Sequence, residues 1–137
     1  MSALEGVELI HQAGGLAVMA HPGLNRSDDI IPALVRAGLD GIECFHTKHS
    51  TVMAERYLEI AEKYGLLVTG GSDSHEPETV GRSYTVFPDS CTDADGVMKA
   101  LLAGMSTTSG TDRNGMATLR YGKKAISEWI GRGMKRM

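Results

Sequence analysis

The sequence predicts an α/β fold in which parallel strands alternate with helices, and three observations carry that expectation. Apolar runs of strand length, residues 16–20, 41–45 and 66–69, each come after a segment whose apolar positions recur at helical spacing. Strand and helix alternate through short connections punctuated by glycine, as in the strand-then-helix repeats that build a parallel sheet. The first run shows no polar alternation, as expected of a strand covered on both faces. Such a series fits a parallel sheet that is either open and doubly wound or part of a barrel.

The elements are justified in chain order. Ser2 and Glu5 stand in capping-box spacing ahead of Val7, Ile10 and His11, and Gly14-Gly15 supplies a stop, so a helix is expected over residues 1–14. Residues 16–20 read as a buried strand running into His21-Pro22-Gly23. Asp28 or Asp29 is expected to cap a helix that turns Ile31, Leu34 and Val35 inward and ends at Gly38. Residues 41–45 form the next strand. Ser50 caps a longer helix, 51–64, whose Tyr57, Ile60, Ala61 and Tyr64 make one stripe, and Gly65 ends it. The third strand, 66–69, runs into Gly70-Gly71-Ser72-Asp73-Ser74-His75. Beyond lie a strand at 84–87, a helix from about 93 to 103 with Val97, Leu101 and Leu102 inward, a short run at 105–108 and a loop at 110–114. A basic amphipathic helix lined by Ile126, Trp129, Ile130 and Met134 closes the chain.

Composition narrows the function. With 137 residues, 42% of them apolar, and a net charge of -3, the chain supports a buried core and is not expected to be disordered. Two cysteines and no signal-peptide pattern point to a reducing, cytoplasmic setting rather than a disulfide scaffold. No apolar run is long enough for a membrane span. Two Phe, four Tyr and one Trp provide no stacking platform for bases, so nucleic acid is not an expected partner. The last 18 residues hold six basic side chains (Arg120, Lys123, Lys124, Arg132, Lys135 and Arg136) against Glu128 alone, so a basic tail succeeds an acidic body. That face is read as solvated rather than as a lipid or RNA surface.

Chemistry-bearing residues gather where strands end. His21 closes the first strand, Glu43 lies in the second with His46 and His49 beyond it, and Asp73 and His75 come after the third. The carboxyl ends of parallel strands line one rim, where α/β proteins hold their ligands. Asp73 and His75, two apart, share a face if the strand continues through them, and an imidazole with a carboxylate suits Zn, Mn or Fe. Read alone, an Asp-x-His pair is more often structural; joint placement with His21 is what raises it to a site. Gly70 and Gly71 permit a sharp turn or a close approach to a ligand. The sequence carries no phosphate-cradling loop, no nucleophile elbow and no zinc-ribbon cysteine spacing, and Cys44 and Cys91 read as packed thiols.

The blocks Gly14-Gly15-Leu16-Ala17-Val18-Met19-Ala20-His21-Pro22-Gly23, Asp40-Gly41-Ile42-Glu43, His49-Ser50, Gly65-Leu66 and Gly70-Gly71-Ser72-Asp73-Ser74-His75 resemble, in order and spacing, the second half of the PHP (polymerase and histidinol phosphatase) domain. The resemblance covers roughly residues 1–110, with 111–137 as a basic helix packed on the same domain. It implies a distorted (β/α)7 TIM-like barrel, here incomplete, whose rim holds divalent metal ions and hydrolyses phosphate monoesters with metal-activated water. It carries the metal-ligand role onto His21, Asp73 and His75. Glu43 and His49 are expected as supporting or substrate contacts, and Arg82 as a phosphate contact.

The departures from the family pattern matter equally. No His-x-His strand precedes the Ala-His-Pro block, and most of the family's ligand positions have no counterpart here. The chain is therefore expected to be the C-terminal half of a phosphoesterase, as a truncation, a gene fragment or one piece of a split enzyme, with weak or undetectable turnover alone. A small phosphorylated substrate and an N-terminal PHP half, or a second copy, are the expected partners. The competing expectation is a catalytically incomplete module that acts by metal binding or association.

Overall fold

The computed structural model describes residues 1–111 and 118–122. Helix α1 (Ala3–Gln12) begins with the expected capping box: Glu5 N–H donates to Ser2 Oγ at 3.2 Å and Ser2 N–H donates to the Glu5 carboxylate at 2.6 Å. Strand β1 is shorter than expected, only Val18–Met19, and its residues are half-buried. It is an edge strand rather than a covered central one. The short helix α2 (Pro22–Asn25) and a 3-10 turn at Asp28–Ile30 lead into α3 (Ile31–Arg36). Neither Asp28 nor Asp29 caps α3, whose N-cap is Ile30. Asp28 is drawn away to Tyr57, whose hydroxyl donates to Oδ1 at 2.8 Å, and to an ion pair with Arg56.

Strand β2 (Gly41–His46), helix α4 (Thr51–Tyr64) and strand β3 (Leu67–Gly71) then form as expected. Ser50 accepts from Met53 N–H at 3.2 Å at the start of α4, and Gly65 ends it at φ 65°, a conformation glycine adopts without penalty. The strands β1-β2-β3 form a parallel sheet in that order. Ile42 and Cys44 on β2 are wholly buried, and Val7, Ile31, Leu34, Ala54, Tyr57, Ala61 and Val68 close over them from both sides. This is the parallel α/β half of the expectation.

The other half differs. Strands β4 (Ser83–Val86), β5 (Thr107–Thr111) and β6 (Thr118–Gly122) pair antiparallel in a second three-stranded sheet. Helix α5 (Ala94–Leu102), capped by Asp93, connects β4 to β5. Ala100 and Leu101 are its buried residues, whereas Leu102 is 62% exposed and does not face inward as expected. The division placed between residues 110 and 111 falls inside β5. Thr118–Gly122 is a strand inside the segment 111–137 expected as a basic helix, and residues 112–117 and 123–137 lie outside the described residues.

The two sheets meet at Gly70. Its N–H donates to Thr85 Oγ1 at 2.9 Å, and the same hydroxyl donates back to Gly70 O at 3.0 Å. A Cβ at Gly70 would stand 2.9 Å from Thr108 Cγ2 and 3.0 Å from Tyr84 O. Gly70 is therefore needed for close contact between the sheets, a role beside the sharp turn or ligand approach that the sequence suggested. Among the described residues no helix is long and apolar enough to cross a membrane.

Candidate active site at the strand ends

Because β1, β2 and β3 are parallel, their carboxyl ends open on one rim, and the segment leaving each strand builds that rim. After β1, His21 takes φ 27° and ψ 60° directly before Pro22. A side chain is strained at such φ, and a residue before proline is further biased to extended backbone. The turn is held from below. His21 N–H donates to Glu43 Oε1 at 3.0 Å, and Gly23 N–H donates to His49 Nε2 at 3.2 Å. A Cβ at Gly23 would lie 2.8 Å from that nitrogen, so only glycine lets the chain pass.

Strand β2 supplies the floor. Its ladder to β3 shifts between Glu43 and Phe45: Glu43 pairs with Thr69, Phe45 with Gly70 and His46 with Gly71. The extra residue, Cys44, is a β-bulge, and it puts Glu43 and His46 on the same face although three positions separate them. Glu43 faces Gly71, where a Cβ would stand 2.9 Å from Oε2. Burial pushes its carboxyl above the usual range, against the pull of the His21 N–H and the nearby imidazoles.

After β3 the chain leaves the strand at Gly71, so Asp73 and His75 do not share a strand face as expected. Asp73 sits at φ 48°, and its Oδ2 accepts from His46 Nε2 at 3.2 Å. That hydrogen bond, with help from the His75, His46 and His21 imidazoles, holds its carboxyl below the usual range. Thr47 Oγ1 donates to Ser72 O at 2.8 Å and ties this loop to the end of β2. His75 is exposed and donates Nδ1–H to Asp73 O at 2.7 Å, which leaves its Nε2 as the lone-pair nitrogen.

The rim thus unites His21, Glu43, His46 and Asp73, with His75 at its outer side. The sequence sets His46 among the strand-end residues without assigning it a role, and it is the bulge at Cys44 that turns it onto the face of Glu43. His49 lies beneath the rim. Its Nδ1–H donates to Cys44 O at 2.8 Å, Nε2 accepts from Gly23, and its ring stacks on Tyr57 at 5.5 Å. With both nitrogens engaged, it braces the His21 loop; burial lowers its pKa. Arg82 is half-buried just before β4, and its backbone N–H closes a turn onto Thr79 O. Cys44 is buried and its thiol is pushed well up by burial, which suits a packed side chain rather than a nucleophile.

His21 Nδ1 is buried with no hydrogen-bond partner. A buried nitrogen left unpaired costs about 1–3 kcal/mol, and a ligand at that atom would remove the deficit. In kind, the imidazoles and carboxylate fit a divalent transition ion. In number they fall short: among the described residues no group of three or more His, Cys, Asp or Glu side chains is arranged to hold a metal ion.

Comparison with known proteins agrees with the blocks read from the sequence. The family model described as PHP-associated matches residues 54–106. The phosphoribosyl 1,2-cyclic phosphate 1,2-diphosphodiesterase of Eggerthella lenta is 47% identical over 75 residues, 55% of this chain and 29% of that protein. The 3',5'-nucleoside bisphosphate phosphatase of Chromobacterium violaceum is 36% identical over 83 residues, 57% of this chain and 29% of that protein. A crystal structure from Bifidobacterium adolescentis, assigned as a metal-dependent phosphoesterase, superposes with a TM-score of 0.56 at 37% identity, over 74% of this chain and 36% of that one. The chain thus spans less than a third of the length of either curated relative. Over residues 54–106 the chain matches the PHP-associated model, and in sequence and in fold it is similar to part of these phosphoesterases.

Proposed function

We propose that this chain supplies the C-terminal share of a metal-dependent phosphoesterase centre, with His21, Asp73 and His75 as its donors. The observation that carries the reading is the buried, unpartnered His21 Nδ1 on the rim that also bears Asp73. The donor set is partial, which agrees with relatives of which the matched segment is only 29%. The ion is Mn, Zn or Fe, since imidazole nitrogen with carboxylate oxygen favours these over Mg or Ca. When bound, it supplies an activated water and neutralises charge on phosphoryl oxygens.

The chain's own residues position and shield. Glu43 fixes the His21 turn through its N–H, His49 fixes the same turn through Gly23, and Arg82 stands near enough in sequence to the Asp73 loop to serve as a phosphate contact. The substrate is a small phosphate ester, of the class named for both curated relatives. The remaining donors come from an N-terminal PHP segment. Two free thiols, Cys44 and Cys91, suit a reducing cytoplasmic setting.

The test is reconstitution. Co-expressed with an N-terminal PHP segment, the chain is expected to bind Mn²⁺ and to hydrolyse small phosphate esters; alone, it turns over weakly or not at all. Changing His21, Asp73 and His75 together to Ala should abolish both properties in the reconstituted protein. Full metal content and activity in that triple variant would overturn the assignment. The shortfall of donors favours a second reading, a catalytically incomplete module acting by association. A stable, metal-free monomer indifferent to the N-terminal segment would select it.

A further inference from the structure

His46 bridges the site from below. It is 2% exposed, and its imidazole touches both proposed donors on the rim. Nε2 lies 3.2 Å from Asp73 Oδ2, and the ring meets the His21 ring edge-on, with centroids 5.4 Å apart and planes at 71°. Its own orientation is set by backbone, since Lys48 N–H donates to Nδ1 at 3.0 Å. Nδ1 is thereby the acceptor, and the ring proton is assigned to Nε2, which donates to the carboxylate. Both nitrogens are engaged, so the residue acts only through its neighbours.

We infer that His46 is a positioning residue: clamped by the Lys48 backbone, it occupies Asp73 Oδ2 and braces the His21 ring, so that Asp73 Oδ1 and His21 Nδ1 are the atoms left for a ligand. The inference rests on the reading of His21 and Asp73 as metal donors and deepens it. Asp73 needs such a partner. Its side chain is 44% exposed on a loop at positive φ, and without a fixed donor the carboxylate is free to rotate in solvent. Hydrogen-bonded outer partners of this kind orient ligating carboxylates, and their loss typically weakens metal binding about 10–100-fold. A histidine present only to fill the core would not direct its N–H at an exposed carboxylate. The β-bulge at Cys44 is what brings it there.

Two variants of the full chain separate the roles. His46→Phe keeps a ring against His21 but removes the donor to Asp73, whereas His46→Gln keeps an N–H near the position of Nε2 and gives up the ring. Without metal, NMR of the Asp73 carboxyl carbon and of the His46 ring nitrogens reports the bond directly. The wild-type chain is expected to show the Nε2–H tautomer, and His46→Phe to move the Asp73 carboxyl signal to that of a solvated aspartate. In Mn²⁺ titrations of the chain reconstituted with the N-terminal PHP segment, His46→Phe should bind about 10–100-fold more weakly, with most of the loss recovered in His46→Gln. An unchanged Asp73 signal in His46→Phe, or equal losses in both variants, would overturn the inference. Should the wild-type chain reconstituted with the N-terminal PHP segment bind no Mn²⁺, the donor assignment falls, and the metal-free spectra still decide the role of His46. If His46→Phe does not fold, His46→Gln decides: an Asp73 signal preserved there supports positioning, and one lost refutes it.

Discussion

At His21 and Asp73 the backbone adopts φ 27° and φ 48°, conformations that cost a side-chain-bearing residue of order 1–3 kcal/mol each. Such strain persists where surrounding contacts over-determine it, and here the contacts are identifiable. Glu43 and His49 hold the His21 turn, while His46 and Thr47 hold the Asp73 loop. The bracing has a pH signature. Burial lowers the pKa of His49, so between its folded value and the ordinary 6.5 the unfolded chain binds the extra proton. Stability is therefore expected to fall as pH drops below about 6.5, as the unfolded histidine charges first. Glu43, whose carboxyl is raised, acts in the opposite sense above the ordinary value of 4.5. Urea titrations at stepped pH check this: His49→Gln should lower stability at neutral pH and flatten the acid limb below about 6.5. An acid limb unchanged in that variant would show that His49 is not the group responsible.

Elements set by neighbouring residues were legible in the sequence. The capping box of α1, the Ser50 cap and Gly65 stop of α4, and the Asp93 cap of α5 each depend on residues within a few positions. Asp28 shows the limit of that reasoning. It has the chemistry of a cap, but Tyr57 and Arg56, distant in sequence, compete for its oxygens. His46 shows another. Strict period-two alternation would set it on the face opposite Glu43, and the bulge at Cys44 that reverses this leaves no local signature. The junction of the sheets at Gly70 is a third case, since a glycine before an Asp-x-His loop reads equally as a ligand contact. Thr85→Val tests the junction. It keeps the side chain's volume but leaves Gly70 N–H and O without their partner, so a loss of about 1–3 kcal/mol is expected by denaturant unfolding. A variant as stable as wild type would place the union of the sheets elsewhere.

On the scale of the molecule, β1 is the outer strand of the parallel sheet and pairs only with β2 among the described residues. Beside it, Val7, Ile10, Val18, Met19, Leu34 and Leu39 line an apolar groove of about 360 Å³. An unpaired edge next to exposed apolar surface favours association. The isolated chain is expected to self-associate with rising concentration in size-exclusion chromatography. Ile10, 40% exposed on α1, is the residue to change. Ile10→Lys should weaken the association roughly tenfold without altering the far-UV circular dichroism, since a buried lysine at the contact loses its hydration. A wild-type chain that stays monomeric at all concentrations would contradict the expectation.

The sequence by itself determined the helices, the first three strands and the residue types that mark the rim, because capping, periodicity and short connections act over a few residues at a time. It also carried the family resemblance, through blocks whose order is a property of the chain alone. Only the tertiary structure decided that the later strands run antiparallel, that His49 braces the His21 turn, and that His46 stands between His21 and Asp73. Those outcomes depend on hydrogen-bond partners more than twenty residues apart and on one extra residue in a strand. Contacts of that range arise from competition among many possible partners, and the order of residues along the chain does not reveal which one wins.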